Sequence, residues 1–301
     1  MSGYALGAAE VADTFAEAFP MRYARVLITA ATEAWAQEAA RSMTGFATSV
    51  IGCKCEAAIE RSLSRVQTPD GRPGVAVLLF AMDREGVGKR VLERVGQSVM
   101  TCPTTACFDG LPGAERTAAL GRSLRYFGDG FQASKVIAGE RFWRIPVMEG
   151  EFLVSESVGI GQGVGGGNLV IGAGDDDTAL AAAQAAAEAM RGEGVALPFP
   201  GGIVRSGSKV GALTSKTMPA STNHQMAPTL RAQVDDTLVP EGVGAMFEIV
   251  IDAVSEDAVR QAMRRGLHTA AAAGATHVTA ANFGGKLGEF HFPLDELRDP
   301  P

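Results

Sequence analysis

One glutamate is set inside an apolar run: Glu248 in AMFEIVIDAV, residues 245–254. Strand alternation puts Met246, Glu248 and Val250 on one face, and Phe247, Ile249 and Ile251 on the other. A carboxyl among apolar neighbours loses hydration, which raises its pKa. Kept neutral in this way, it can donate a hydrogen bond or act as a general acid. The same pattern also fits a glutamate on the wet face of a sheet. Three polar loops, two of them rich in glycine, are the other sources of chemistry. Pro198–Gly211 (PFPGGIVRSGSKVG) combines Arg205 and Lys209 with Ser206 and Ser208. Such a loop either donates N–H groups to an anion or is a solvated connection. Pro219–Asn223 (PASTN), with Ser221 and Asn223, is equally polar. Asn282–Gly288 (NFGGKLG) carries Asn282 and Lys286 on glycines that admit a ligand or another backbone, and it reads equally well as a turn.

Other patterns are less productive. Cys53 and Cys55 have C-x-C spacing, and Cys102 and Cys107 have C-x4-C spacing. Neither matches a common zinc or redox box, so all four read as thiols in a reducing compartment. His224, His268, His277 and His291 never fall in HxH or HExxH spacing, and no metal site is expected. Gly161–Gly166 (GQGVGG) satisfies G-x-G-x-x-G, but a dinucleotide site requires that motif to open a helix. Here a further strand follows, and the next helix begins with three aspartates that repel a pyrophosphate. The expectation is a glycine hairpin or a tight backbone approach. Phe127–Phe131 (FGDGF) reads as a turn.

The elements that must hold these residues follow from hydrophobic period. Ala24–Ala31, Phe46–Gly52 and Val75–Met82 read as strands, with helices at Thr32–Met43 and Arg84–Val99. Thr32 is the expected helix cap and Gly45 the stop. The last strand of this half has no clear counterpart in the sequence. In the second half, strands are expected at Asn168–Ala173, Met246–Val254 and Thr276–Ala281, with helices at Asp175–Arg191 and Ser255–Ala273. The β-α-β rhythm, repeated, implies an α+β fold of two ferredoxin-like sandwich lobes. The expected lobes are residues 1–150 and 151–301, with the boundary near Glu149–Glu151.

Composition narrows the function classes. The 301 residues are 46% hydrophobic and 20% charged, enough apolar material for a real core. The net charge of -7 disfavours general nucleic-acid binding. No run reaches the roughly 20 apolar residues that cross a bilayer. The N-terminal segment MSGYALGAAEVADTF has no basic stretch followed by an apolar one, so a cytoplasmic protein is expected.

The motifs, taken in order, resemble the formylmethanofuran:tetrahydromethanopterin formyltransferase family. The resemblance runs from Asp13–Phe19 (DTFAEAF) through ARVLITAA, TGFATSVI, TPDGRPGV, FGDG, MEGEF, PFPGGIVRS, SKVG and PASTN to NFGGKLG. It implies two ferredoxin-like lobes and transfer of a formyl group between the amine of methanofuran and a nitrogen of tetrahydromethanopterin. Both carriers are substrates, and no metal or prosthetic group is implied. Glu248 matches the family's proposed catalytic glutamate, which decides between the two readings of that residue. Arg205, Ser206, Ser208, Lys209, Ser221, Asn223, Asn282 and Lys286 lie in matching loops and are expected to orient the polyanionic carriers. The resemblance also implies a homotetramer and association with hydrolase subunits in a formyltransferase/hydrolase complex. Only six of the 27 cations are lysine, a bias that suggests a GC-rich bacterial genome and the methylotroph branch, where the reaction serves formaldehyde oxidation. The rival readings are a non-catalytic scaffold subunit and a hydrolase acting alone on a formyl amide.

Overall fold

The computed structural model describes residues 3–301; Met1 and Ser2, part of the N-terminal segment read above, lie outside them. The chain forms two compact units that are not sequential halves. One comprises Met21–Gly163 and Gly192–Pro198; the other comprises the described residues up to Pro20, Val164–Arg191 and Phe199–Pro301. This partition differs from a linear split at residue 150 because two long strands each contribute residues to both units.

In the unit built on Met21–Gly163, the chain order is β1 (Phe15–Thr29), α1 (Glu33–Thr44), β2 (Glu56–Leu63), β3 (Gly74–Ala81), α2 (Arg84–Arg94) and β4 (Ala106–Asp109). The sheet order is β2-β3-β1-β4 with antiparallel neighbours throughout, the ferredoxin-like arrangement. β4 is the partner that the sequence left unplaced. Beyond β4 the sheet continues through β6 (Gly150–Ser155), parallel to β4, and β5 (Glu140–Val147), antiparallel to β6. Every residue of β3 is buried, which is why GVAVLLFA reads as a continuous apolar run. Thr32 caps α1 by accepting from the Trp35 N–H, and the Gly45 N–H closes the helix on the Arg41 carbonyl, as expected.

The expected strand at Phe46–Gly52 is not formed. Ser49 instead caps a short helix, Val50–Cys53, by accepting from the Ile51 N–H. The Glu56 carboxylate accepts from the Val50 N–H at 3.0 Å. These local side-chain bonds offer the backbone an alternative to a ladder and outweigh the β-branched composition. The strand forms later, as β2. It carries an internal ion pair: Arg25 on β1 donates twice to Glu60, at 2.8 and 2.7 Å, and the Gly194 N–H donates to the same carboxylate at 2.6 Å.

The second unit contains the later part of β7 (Ser157–Ala173), then α3 (Asp176–Met190), β8 (Ala245–Ala253), α4 (Glu256–Ala272) and β9 (His277–Thr279). β7 lies between β8 and β9 and is antiparallel to both. The strand Ala9–Ala12 adds to β9 in parallel. Asp175 and Ser255 cap the two helices by accepting from the Thr178 and Ala258 N–H groups. The helices pack on each other and on β8. The whole is an α+β chain of two lobes.

Gly161–Gly166 forms no hairpin. It runs within β7, with a bulge between Val164 and Gly167, and opens no helix. The tight-approach reading holds at Gly161, where an added Cβ would lie 2.4 Å from the Tyr23 ring. Tyr23 is itself buried and packs on Phe80, with ring centroids 5.6 Å apart. Gly161→Ala is therefore expected to destabilise this unit by about 1–3 kcal/mol through overpacking, read as a lower denaturant midpoint. A midpoint equal to that of the unchanged chain would contradict the tight approach.

Candidate active site

The site lies in the unit that contains β8. Strand pairing holds the Glu248 backbone on both flanks. On one side Val170 of β7 is its register partner. On the other, the Val204 N–H donates to the Glu248 carbonyl at 2.7 Å and the Glu248 N–H donates to the Val204 carbonyl at 3.0 Å. Alternation along β8 buries Ile249, Ile251 and Ala253 in the core and turns Glu248 to the opposite face. That face is neither dry core nor open surface, because loops cover it and leave a cavity of about 170 Å³. Its walls include Val204, Arg205, Ser206, Asn223, Glu248 and Ala281. The volume suits the reacting end of a molecule rather than a whole extended carrier.

Burial pushes the Glu248 carboxyl up to about 7, and no charge or hydrogen bond from a described residue offsets it. Near neutral pH a large fraction is thus an uncharged acid, able to donate its O–H to an oxygen that gains negative charge. No other cavity-lining side chain has this combination of acidity and poor solvation. Arg205 and Ser206 are exposed at the rim, and Asn223 is partly buried.

The remaining candidates fall into two groups near this cavity. Lys209 and Ser221 face each other on a two-residue antiparallel ladder, Lys209–Val210 with Ala220–Ser221. The Gly211 N–H donates to the Pro219 carbonyl at 2.9 Å and ties the same two loops together. Ser208 is exposed beside this ladder. None of these three lines the cavity. Asn282 and Lys286 belong to the loop that begins next to Ala281 of the cavity wall. The Asn282 amide donates to Thr14 Oγ1 and to the Phe15 carbonyl, both at 3.1 Å, whereas Lys286 is exposed.

Sequence reasoning missed two residues that shape the site. Asn168, buried in β7, donates to the Ala281 carbonyl at 2.9 Å and accepts from the Ala281 N–H at 2.7 Å, which fixes that wall. An amide in the otherwise apolar NLVIGA was the available signal. Glu17 holds the Phe283–Gly288 loop from 266 or more positions away, and no sequence signal foretold it. Among the described residues, no three His, Cys, Asp or Glu side chains converge as a metal site, and no helix is long and apolar enough to cross a membrane. All four cysteines are free, with Cys55 and Cys107 buried.

Two family models match the chain end to end. The model for formylmethanofuran-tetrahydromethanopterin formyltransferase matches residues 5–147, and the model for its proximal lobe matches residues 150–297. A formylmethanofuran–tetrahydromethanopterin formyltransferase from Methylococcus capsulatus is 54% identical over 290 residues, covering 95% of this chain and 96% of the relative. The formyltransferase solved from Methanosarcina barkeri is similar with a TM-score of 0.93 at 46% identity, covering 98% of this chain and 100% of that one. A chain of the formyltransferase/hydrolase complex (FhcABCD) from Methylorubrum extorquens, solved with methylofuran, gives a TM-score of 0.95 at 46% identity, covering 100% of both chains.

Proposed function

Since this chain belongs to the formylmethanofuran–tetrahydromethanopterin formyltransferase family, we propose that it moves a formyl group between tetrahydromethanopterin and the amine of methanofuran, with Glu248 as the catalytic acid. The observation that carries the role of Glu248 is a poorly solvated carboxyl, raised to about 7, in the wall of a small cavity.

The acceptor nitrogen adds to the formyl carbon, forming one C–N bond and a tetrahedral centre. The O–H of Glu248 donates to the oxygen as it becomes an oxyanion. The centre collapses, the carbonyl re-forms, and the bond to the donor nitrogen breaks. The proton lost by the acceptor nitrogen is balanced by the proton gained by the departing one. Closure of the site against water protects the formyl group from hydrolysis. Arg205, Ser206 and Asn223 orient the reacting ends at the cavity, while Ser208, Lys209, Ser221 and Lys286 guide the carriers outside it, with Asn282 acting through the loop that its bonded side chain holds. Cations are suited to that task because the carriers are polyanionic.

The two carriers act as substrates, with no prosthetic group in the proposed reaction. Residues 1–150 and 151–301 are the proposed sequence domains, a division supported by family models that meet between residues 147 and 150. The proposal also includes a cytoplasmic homotetramer that joins hydrolase subunits. The solved relative from a formyltransferase/hydrolase complex supports the last element.

The test is an assay of the purified protein with formyl-tetrahydromethanopterin and methanofuran, alone and with hydrolase subunits. Formylmethanofuran is expected to appear only when methanofuran is present. Formate released without methanofuran would point to hydrolysis. No transfer under any condition would leave the scaffold reading.

A further inference from the structure

Glu17 is a carboxylate folded into the protein much as a ligand would be. It is 1% exposed. Its Oε2 accepts from the Phe283 and Gly285 N–H groups at 2.6 and 2.9 Å, and its Oε1 accepts from the Leu287 and Gly288 N–H groups at 2.7 and 2.5 Å. Burial pushes the carboxyl up, but the four donors outweigh it and hold it below the ordinary value. Gly284 and Gly285 sit at φ +73° and +70°, the left-handed region in which successive N–H groups can converge on one anion. The Asn282 side-chain oxygen accepts from the Gly284 N–H at 3.0 Å. The loop is thus moulded on two side chains, with five of its N–H groups committed to them.

Beyond these bonds, the Phe283 ring packs on Phe19 with centroids 6.1 Å apart, while the far side of the loop faces solvent. The loop departs from Ala281, which lines the cavity with Glu248. Its Lys286 and Leu287 side chains are exposed, offering a cation and an apolar contact side by side. We infer that Glu17 is a positioning residue whose carboxylate sets the conformation of Phe283–Gly288 and thereby holds Lys286 where a polyanionic carrier docks; this rests on the proposed function. Glu17 does not touch the reacting atoms in this role. It replaces, inside the fold, the external anion that such a ring of N–H groups would otherwise bind.

The test uses Glu17→Ala in the full-length protein, with acetate as the probe for the vacated carboxylate position. KM for one carrier is expected to rise about tenfold or more while kcat stays within about threefold, the signature of lost binding rather than lost chemistry. Added acetate is expected to restore KM, and chloride at equal ionic strength is not. Hydrogen exchange at residues 283–288 is expected to quicken in the variant and to slow again with acetate. A second variant, Gly284→Ala, covers the case in which Glu17→Ala fails to fold. Its Cβ meets nothing within 4 Å but is strained at φ +73°, so it disturbs the same loop while leaving Glu17 in place. The same rise in KM is expected there. Unchanged KM in a folded variant overturns the inference, as does a fall in kcat with KM unaffected. Inactive wild-type protein overturns the proposed function and the carrier-docking role together, and the exchange data then report separately whether the carboxylate shapes the loop.

Discussion

Glu248→Gln is expected to lower kcat about 10²-fold, and Glu248→Ala about 10³-fold, with KM for either carrier nearly unchanged. The amide keeps the shape and neutrality of the acid and still offers an N–H, but it is a far weaker acid than a carboxyl. Alanine offers no donor at all. Because the Glu248 backbone is held by Val170 and Val204, neither change should disturb the strand. The pH profile separates the acid role from simple packing. With a carboxyl raised to about 7, the active, protonated form is depleted as pH rises through neutrality. Activity limited by this group should then be flat below that point and fall about tenfold per pH unit above it. Glu248→Gln does not titrate and should lose that limb. The shift has a second consequence of definite sign. Between the ordinary value of 4.5 and about 7, the native state holds a proton that the unfolded chain has released. Stability contributed at this position is therefore greatest at low pH and declines as pH rises through that interval. Full turnover in the glutamine variant, or an unchanged alkaline limb, would remove Glu248 from the mechanism.

Glu60→Ala is expected to cost about 3–5 kcal/mol, the largest stability loss predicted for a single polar residue here. The side chains of Glu60 and Arg25 are 0% and 15% exposed, so truncation strands a guanidinium with little access to water. It also deprives the Gly194 N–H of its acceptor. Replacing both partners with methionine should recover most of the loss, because an apolar pair of similar volume avoids the uncompensated charge. Equilibrium denaturation of the single and double variants measures the difference. A loss below about 1 kcal/mol for Glu60→Ala would class the pair with exposed ion pairs of little worth.

That ion pair also explains where the sequence was hard to read. β2 has the segment EAAIERSL, and both of its glutamates are buried. Inward-facing charges erase the alternation by which a strand is recognised, and the compensating Arg25 lies 35 positions away. The nearby apolar run at Phe46–Gly52 looked more strand-like because its competing Ser49 and Glu56 caps are invisible to periodicity. By contrast, β3, β8 and the capped helices α1, α3 and α4 were legible, since local pattern and tertiary environment agree in them. Glu248 was conspicuous as an acid in the middle of an apolar strand, which also carries Asp252 near its end, but its environment was not. Its cavity is assembled from segments near residues 170, 204, 223, 248 and 281, brought together only by the fold. The loop candidates divided for the same reason: a polar loop announces itself in sequence, while the direction of each side chain depends on distant partners.

The double hydrogen bond between Val204 and Glu248 anchors the root of the polar loop and the main chain of the acid to each other. The polar segment from Arg205 onward thus leaves the sheet directly after the residue that pairs with Glu248, and the ladder at Lys209–Val210 ties it again further along. In the proposed mechanism, the main-chain position of the donor is therefore set when the protein folds, before any carrier arrives.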